Sequence, residues 1–288
     1  PARPAGRTGR PVCAAARRSG RTGGVRGNTV NIQEIPVVRE ETASAVSFRP
    51  KLWQIPRPIS AVYQRLPEKT AALRRRLLEI YRRHSRVKLA SSLAVEDMLI
   101  TDLLAQQGLH VEVFMLQTGR LNAETLDLAD EVRRRYPALD FRLYYPEEKA
   151  VEEYVQTDGL NAFYDSVELR KRCCHIRKVE PLNRALADAD AWLTGQRRGQ
   201  SVTRSELALA EYDNARGIAK YNPIFDWSEQ EVWAYTLQQR LPFNELYRQG
   251  HPSIGCEPCT MPVKEGEDIR SGRWWWESRD SKECGLHK

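Results

Sequence analysis

From about residue 67 the sequence alternates between helix-like and strand-like periods, and this alternation narrows the fold more than any other feature. Pro67 fits the first turn of a helix running to about His84. Arg86 to Ala90 (RVKLA) reads as a short strand, and Ala94 to Gln107 as a helix closed by Gly108, a residue suited to the position after a helix C-terminus. His110 to Leu116 is a second strand. Asn122 to Tyr136 is a helix with Asn122 as N-cap and Glu124 and Thr125 in its first turn. Leu139 to Tyr145 is a third strand, and a helix follows Pro146. A long helical stretch spans 166–188, and Ala191 to Thr194 forms a strand ending at Gly195. Beyond 206 the pattern gives a hairpin, a helix over 228–240 and an irregular, Trp-rich end.

Such alternation predicts an α/β fold, a doubly wound, mainly parallel sheet with helices on both faces. Ligands of such sheets bind beyond the carboxyl ends of the strands. Three loops fall there: Ser91-Ser92-Leu93, Gln117-Thr118-Gly119-Arg120 and Gly195-Gln196-Arg197-Arg198. The first places two hydroxyls and backbone N–H groups at a helix N-terminus, a physical recipe for a phosphate site. Four segments are expected: a disordered tail over 1–45, a linker and helix over 46–84, a nucleotide-binding and catalytic domain over 85–269, and a mobile tail over 270–288.

The formal net charge of +7 is misleading. Residues 1–30 hold seven arginines and no acid, which leaves 38 basic and 38 acidic residues in the remainder. The body is therefore neutral, and the basic pI is no argument for nucleic-acid binding. The first segment, rich in Arg, Gly, Ala and Pro, lacks the apolar residues needed to fold. Its glycines and prolines also work against an amphipathic presequence helix. No apolar run approaches the roughly 18 residues of a membrane-spanning helix.

Six cysteines in a chain of 288 residues without a secretory pattern point to metal-bound or reactive thiols in a reducing cytoplasm. Five fall into three clusters: Cys173-Cys174, Cys256-Glu257-Pro258-Cys259, and Cys284 in ECGLH. Cys13 stands apart in the first segment. The pair and the C-x-x-C together supply four thiolates, the ligand set of a cubane iron–sulfur cluster or a closed zinc site. Arg170, Lys171, Arg172, Arg177 and Lys178 make the first pair too polar for a plain core segment, and they offset thiolate charge. Adjacent helical residues point about 100° apart, so binding one cluster with both requires local distortion.

Cys284 is left over, beside His287, in a stretch that also carries Arg270, Arg273 and Trp274-Trp275-Trp276. Three successive tryptophans cannot all face one core. The arginines suit an anion clamp near a thiolate, and a cation-stabilised thiolate is a nucleophile.

With LASSLAVED, LQTGRLNAET, KRCCHIRKVEPL, TGQRRGQS, GCEPC, GRWWWE and KECGLH on the page, the chain from about 85 to 288 resembles the assimilatory adenylyl-sulfate reductases, within the phosphoadenylyl-sulfate reductase superfamily. The resemblance implies an adenine-nucleotide alpha-hydrolase-like fold and a [4Fe-4S] cluster on Cys173, Cys174, Cys256 and Cys259, with Cys284 as nucleophile and His287 beside it. It implies reduction of adenosine 5'-phosphosulfate to sulfite and AMP through an enzyme S-sulfonate, which thioredoxin or glutaredoxin then reduces. By similarity Lys178, Arg204, Arg270, Arg273 and His287 surround the phosphosulfate, and Ser91, Ser92, Thr118, Gly119, Arg120 and Gly195 the nucleotide. The first loop departs from the glycine-containing form common in relatives, with Leu93 near the glycine's place.

Relatives acting on the 3'-phosphorylated substrate generally keep the ECGLH cysteine and lack both cysteine pairs, so the chain resembles the adenylyl-sulfate type. The alternative on the same fold is an iron–sulfur ATP-pyrophosphatase that thiolates tRNA. It calls for an S-G-G-x-D-S loop, and SSLAVED lacks both glycines. A non-enzymatic zinc-stabilised module would leave Cys284 unexplained. The expected location is cytoplasmic, without nucleic-acid or membrane partners, and a homo-oligomer is compatible with the sequence.

Overall fold

The computed structural model describes residues 50–201 and 204–278. Its centre is a six-stranded sheet in the order β3-β2-β1-β4-β6-β5. The strands are β1 (Val87–Ala90), β2 (Glu112–Leu116), β3 (Asp140–Tyr144), β4 (Ala191–Leu193), β5 (Ala210–Asp213) and β6 (Ile218–Tyr221). All neighbours pair in parallel except β5 and β6, which form an antiparallel hairpin at the edge. The winding direction reverses between β1 and β4, the place where such sheets open a crevice.

Alternate side chains of each buried strand enter different layers. Val113, Met115, Ala191 and Leu193 join one core with α1 (Ser60–Arg83), α2 (Val95–Gln106), α3 (Ala123–Arg135) and α7 (Glu229–Gln238). Phe114 and Trp192, one residue out of phase, pack on the other face against Leu182, Ala185 and Leu186 of α6 (Glu180–Leu186). The period of two along a pleated strand thus builds the double winding.

Two local expectations are corrected. Pro67 stands well inside α1 rather than in its first turn. The buried stripe Val62, Leu66, Leu73, Leu77 and Ile80 keeps the helix running through it, and Pro67 faces solvent, where water can take up the carbonyl it leaves unbonded. Asn122 occupies the N-cap position of α3, but its side chain caps nothing, and its buried Nδ2 has no partner.

After α4 (Glu148–Thr157), the stretch expected over 166–188 is one helical run in three pieces. α5 (Val167–Cys174) passes into a π-helical turn, His175–Val179, and then into α6. The widened turn begins right after the cysteine pair, the kind of distortion that two adjacent ligands demand. Residues 51–53 strap the segment that follows the second cysteine pair. Trp53 N–H donates to Val263 O, Leu52 bridges Lys264, and the Trp53 ring packs on Trp233 and Tyr247.

Candidate active site

A cleft of about 260 Å³ opens at the carboxyl ends of β1, β2 and β4. Among the residues expected from sequence, Ser91, Ser92, Thr118, Lys178, Gly195, Arg204, Arg270 and Arg273 line it. Thus the loops after β1, β2 and β4 meet the segments 252–256 and 269–274 around one space. Gly119 and Arg120 stand elsewhere. Gly119 is exposed, with φ +72°, and donates its N–H to Gln117 Oε1. Arg120 turns toward the four cysteines, donating to Leu160 O and Asn161 Oδ1 with its guanidinium over the Phe163 ring. Cys284 and His287 lie outside the described residues, as does Cys13.

The loop after β1 is organised by a carboxylate of the chain itself. Ser92 donates both its N–H (2.7 Å) and its hydroxyl (2.8 Å) to Asp97 Oδ2, in the first turn of α2. Ser91 Oγ accepts from the N–H of Leu93. Leu93 is buried with φ +59°, in the left-handed region where glycine is at ease. Asp97 also presses on the third loop: a Cβ at Gly195 would stand 2.2 Å from Asp97 Oδ1. Burial pushes the Asp97 carboxyl up to about 6, although both Ser92 bonds favour its charged form. Beside it, Glu96 accepts from Arg197 Nε at 2.8 Å, and both side chains are buried. The two Ser92 donors expected to face a phosphate therefore face Asp97.

Positive charge lines the same cleft. Lys178, Arg204, Arg270 and Arg273 gather there. Arg273 donates to Ile254 O, lies against the Trp274 ring at 4.9 Å, and covers Gly255 so closely that a Cβ there would meet its Nη2 at 2.3 Å. Four cationic side chains on one cleft suit a ligand with an anionic group.

Beside the cleft, Cys173, Cys174, Cys256 and Cys259 line a second, smaller pocket with Arg120, Phe163, Arg170, Arg177, Lys178 and Pro258. The first pair closes α5, and the second brackets a short turn over Glu257–Cys259. Neighbouring loops hold that turn. Glu257 N–H donates to Arg120 O, Cys256 bridges Leu121, and Trp274 N–H donates to Cys259 O. Thr118 Oγ lies 3.3 Å from Cys256 Sγ, and Arg177 donates to Thr118 O at 2.7 Å.

The thiols differ in their charge environment. Burial, then the neighbouring Cys256 charge, pushes Cys259 up to about 12, and burial also raises Cys173. For Cys256 burial acts the same way, but Lys178, the Thr118 hydroxyl, Arg273 and Arg177 outweigh it and hold the thiol below its ordinary value. Four sulfurs among cations, with no carboxylate among the described residues that line the pocket, fit a thiolate-ligated iron–sulfur centre. The thiols ring the pocket rather than meet at one point: among the described residues, no three His, Cys, Asp or Glu side chains converge on a single ion. Lys178 and Cys256 line both pockets, so the two sites share a wall.

Glu96, Asp97, Arg197 and Glu277 have roles that sequence reasoning did not assign. The acidic pair in the first turn of α2 was the available signal for Glu96 and Asp97. Nothing local marks Glu277, whose partner Arg170 is 107 residues away.

Comparison with known proteins follows this geometry. The model of the phosphoadenosine phosphosulfate reductase domain matches residues 86–262. A Neisseria meningitidis serogroup B protein named adenosine 5'-phosphosulfate reductase is 60% identical over 241 residues, covering 84% of this chain and 98% of its own. Proteins of that name from Burkholderia cepacia (58% identical, 79% and 91% covered) and Allochromatium vinosum (49%, 77% and 87%) are also similar. Among solved structures, the phosphoadenylyl-sulfate reductase of Candida auris in a phosphate complex superposes with a TM-score of 0.58 at 23% identity. It covers 73% of this chain and 100% of its own, a likeness of fold.

Proposed function

The chain belongs to the phosphoadenosine phosphosulfate reductase domain family, and from that premise we propose that it reduces adenosine 5'-phosphosulfate to sulfite and AMP in sulfate assimilation, with Cys284 as nucleophile. Relatives 45–60% identical that carry the name adenosine 5'-phosphosulfate reductase support this substrate. They do not favour the ATP-pyrophosphatase alternative. The single observation that carries the chemistry is the gathering of Lys178, Arg204, Arg270 and Arg273 on the lining of one cleft.

The chemistry follows from charge. Thiolate and phosphosulfate are both anionic, so their approach needs fixed cations, which these residues supply. The Cys284 thiolate attacks the sulfate sulfur, the S–O bond to the phosphate breaks, and AMP leaves with that electron pair. The product on the enzyme is a Cys284 S-sulfonate. A thiolate of a dithiol donor of the thioredoxin or glutaredoxin type then attacks Cys284 Sγ and expels sulfite. Its second thiol resolves the mixed disulfide, so the donor leaves oxidised and Cys284 returns as a thiolate. His287, when protonated, stabilises that thiolate.

In the cleft, Ser91, Thr118 and Gly195 contour the nucleotide side. Gly119 and Arg120 act one layer back, by shaping the loop that carries Thr118. Cys173, Cys174, Cys256 and Cys259 would hold a [4Fe-4S] cluster, which would supply a fixed charge centre; the electrons for sulfite formation come from the dithiol. We assign the chain to the cytoplasm, where its thiols stay reduced. Among the described residues no helix is long and apolar enough to cross a membrane. Anaerobic assay with adenosine 5'-phosphosulfate and reduced thioredoxin tests the function: sulfite and AMP should form in equal amounts. ATP hydrolysis without sulfite would favour the alternative.

A further inference from the structure

Two successive tryptophans of the GRWWWE motif face opposite surroundings. Trp274 is fully buried and lines the cleft, whereas Trp275 is 52% exposed. Trp275 stands at the edge of an aromatic cluster on the outside of the four-cysteine pocket. Its ring centroid lies 5.6 Å from Trp276 and 6.4 Å from Tyr164, and Tyr164 packs on Phe163 at 4.6 Å and on Trp276 at 4.5 Å. Tyr164 is itself 39% exposed, and nearby in sequence Leu160 is 53% exposed. The cluster is firmly mounted, since Tyr164 donates its hydroxyl to Pro258 O in the turn between Cys256 and Cys259. Lone exposed apolar residues need no explanation. A rigid group of exposed rings of the types enriched at protein interfaces does.

We propose that Trp275 and Tyr164 form the seat for the dithiol protein that reduces the Cys284 S-sulfonate. The inference rests on the S-sulfonate reading given above. Chain length selects this occupant. Cys284 is six residues beyond Ser278, the last described residue, and six residues span at most about 20 Å. A reductant whose thiol must reach Cys284 therefore seats its body close to the point where residue 278 leaves the fold. The exposed rings of Trp275 and Tyr164 lie at that point. A dithiol carried on a protein reaches Cys284 only with the protein surface around it, and aromatic anchors are enriched where protein surfaces meet. A small dithiol needs no seat, and this difference separates the two.

The test uses the full chain in two stages. Enzyme is incubated anaerobically with adenosine 5'-phosphosulfate, freed of nucleotide, and the S-sulfonate is quantified by mass. The adduct is then chased with reduced thioredoxin or with dithiothreitol. Trp275→Ala should form the adduct at the wild-type rate and release sulfite to dithiothreitol normally. Its kcat/KM for thioredoxin should fall on the order of thirtyfold, the loss typical of one aromatic anchor, and Trp275→Phe should restore most of it. Unchanged kcat/KM for thioredoxin overturns the seat. Equal slowing with thioredoxin and dithiothreitol overturns it too, because Trp275 then acts on the tail. Failure of the wild-type chain to form any adduct overturns instead the underlying S-sulfonate reading.

Discussion

The guanidinium of Arg170 donates hydrogen bonds of 2.8 and 2.9 Å to the carboxylate of Glu277, and both side chains are almost wholly buried. Arg170 also lies over the Trp274 ring at 4.6 Å and lines the cysteine pocket beside Cys174. One arginine therefore fastens the root of the tail bearing Cys284 to the helix bearing the first cysteine pair. Glu277→Gln leaves that guanidinium buried against a neutral partner. Breaking such a pair costs roughly 3–5 kcal/mol, so Tm should fall by about 10 °C. Thermal unfolding followed by circular dichroism checks this, and an unchanged Tm would contradict it.

Gly255→Ala is expected to behave like a substitution of Arg273. The added Cβ would stand 2.3 Å from Arg273 Nη2 and 2.5 Å from Cζ, so the guanidinium must leave its place on the cleft wall. Loss of one preorganised charge-stabilising donor slows chemistry by about 10²–10³-fold. Single-turnover S-sulfonate formation should slow toward the rate of Arg273→Ala while cluster absorbance is retained. A wild-type rate would mean that Arg273 does not meet the transferring group.

Lys178 stands in the wall shared by the two pockets. Lys178→Ala should slow sulfonate transfer about 10²–10³-fold and leave iron content intact. Rapid-quench measurement of AMP release reads the first effect and iron analysis the second.

Asp97 gives the stability a pH signature. Its carboxyl ionises at about 6 when folded, against 3.8 ordinarily, chiefly because burial disfavours the charge. The folded state thus holds the proton more tightly than the unfolded one. Stability must fall as pH rises from about 4 to about 6, and the loss is complete above that. It amounts to about 3 kcal/mol at 1.36 kcal/mol per pH unit. Asp97→Asn, whose amide oxygen can still accept from Ser92, should lack this step. Urea midpoints from pH 4.5 to 7.5 would decide it; parallel curves for the two proteins contradict the assignment.

The four-thiol pocket carries its own test. Anaerobically purified protein should be brown, and Cys→Ser at 173, 174, 256 or 259 should bleach it, whereas Cys13→Ser should not. A colourless protein with one zinc per chain would contradict the iron–sulfur reading.

These results mark what a single sequence makes legible. The alternation of periods foretold the parallel sheet, because buried strands and amphipathic helices carry their burial pattern locally. It also placed Ser91, Thr118 and Gly195 at neighbouring strand ends, since parallel topology turns sequence order into spatial order. The four cysteines were legible as a set because nothing else in the chain pairs with either doublet. Long-range choices were not legible. Pro67 obeyed a buried stripe rather than its own preference for a first turn. Ser92 spends its donors on Asp97, which only the folded loop reveals. Arg120 faces Asn161 and Phe163 because the loop after β2 presents Thr118 to the cleft and the next side chains elsewhere.

The central claim is that Cys284 carries the sulfonate between substrate and reductant. Its most direct test is peptide mass mapping after the enzyme meets adenosine 5'-phosphosulfate with no reductant present. The predicted result is one sulfonate on the peptide containing Cys284, lost on adding reduced thioredoxin, and no sulfite from a Cys284→Ser variant that remains brown and still binds AMP. A sulfonate on any other cysteine, or sustained turnover by Cys284→Ser, would contradict it.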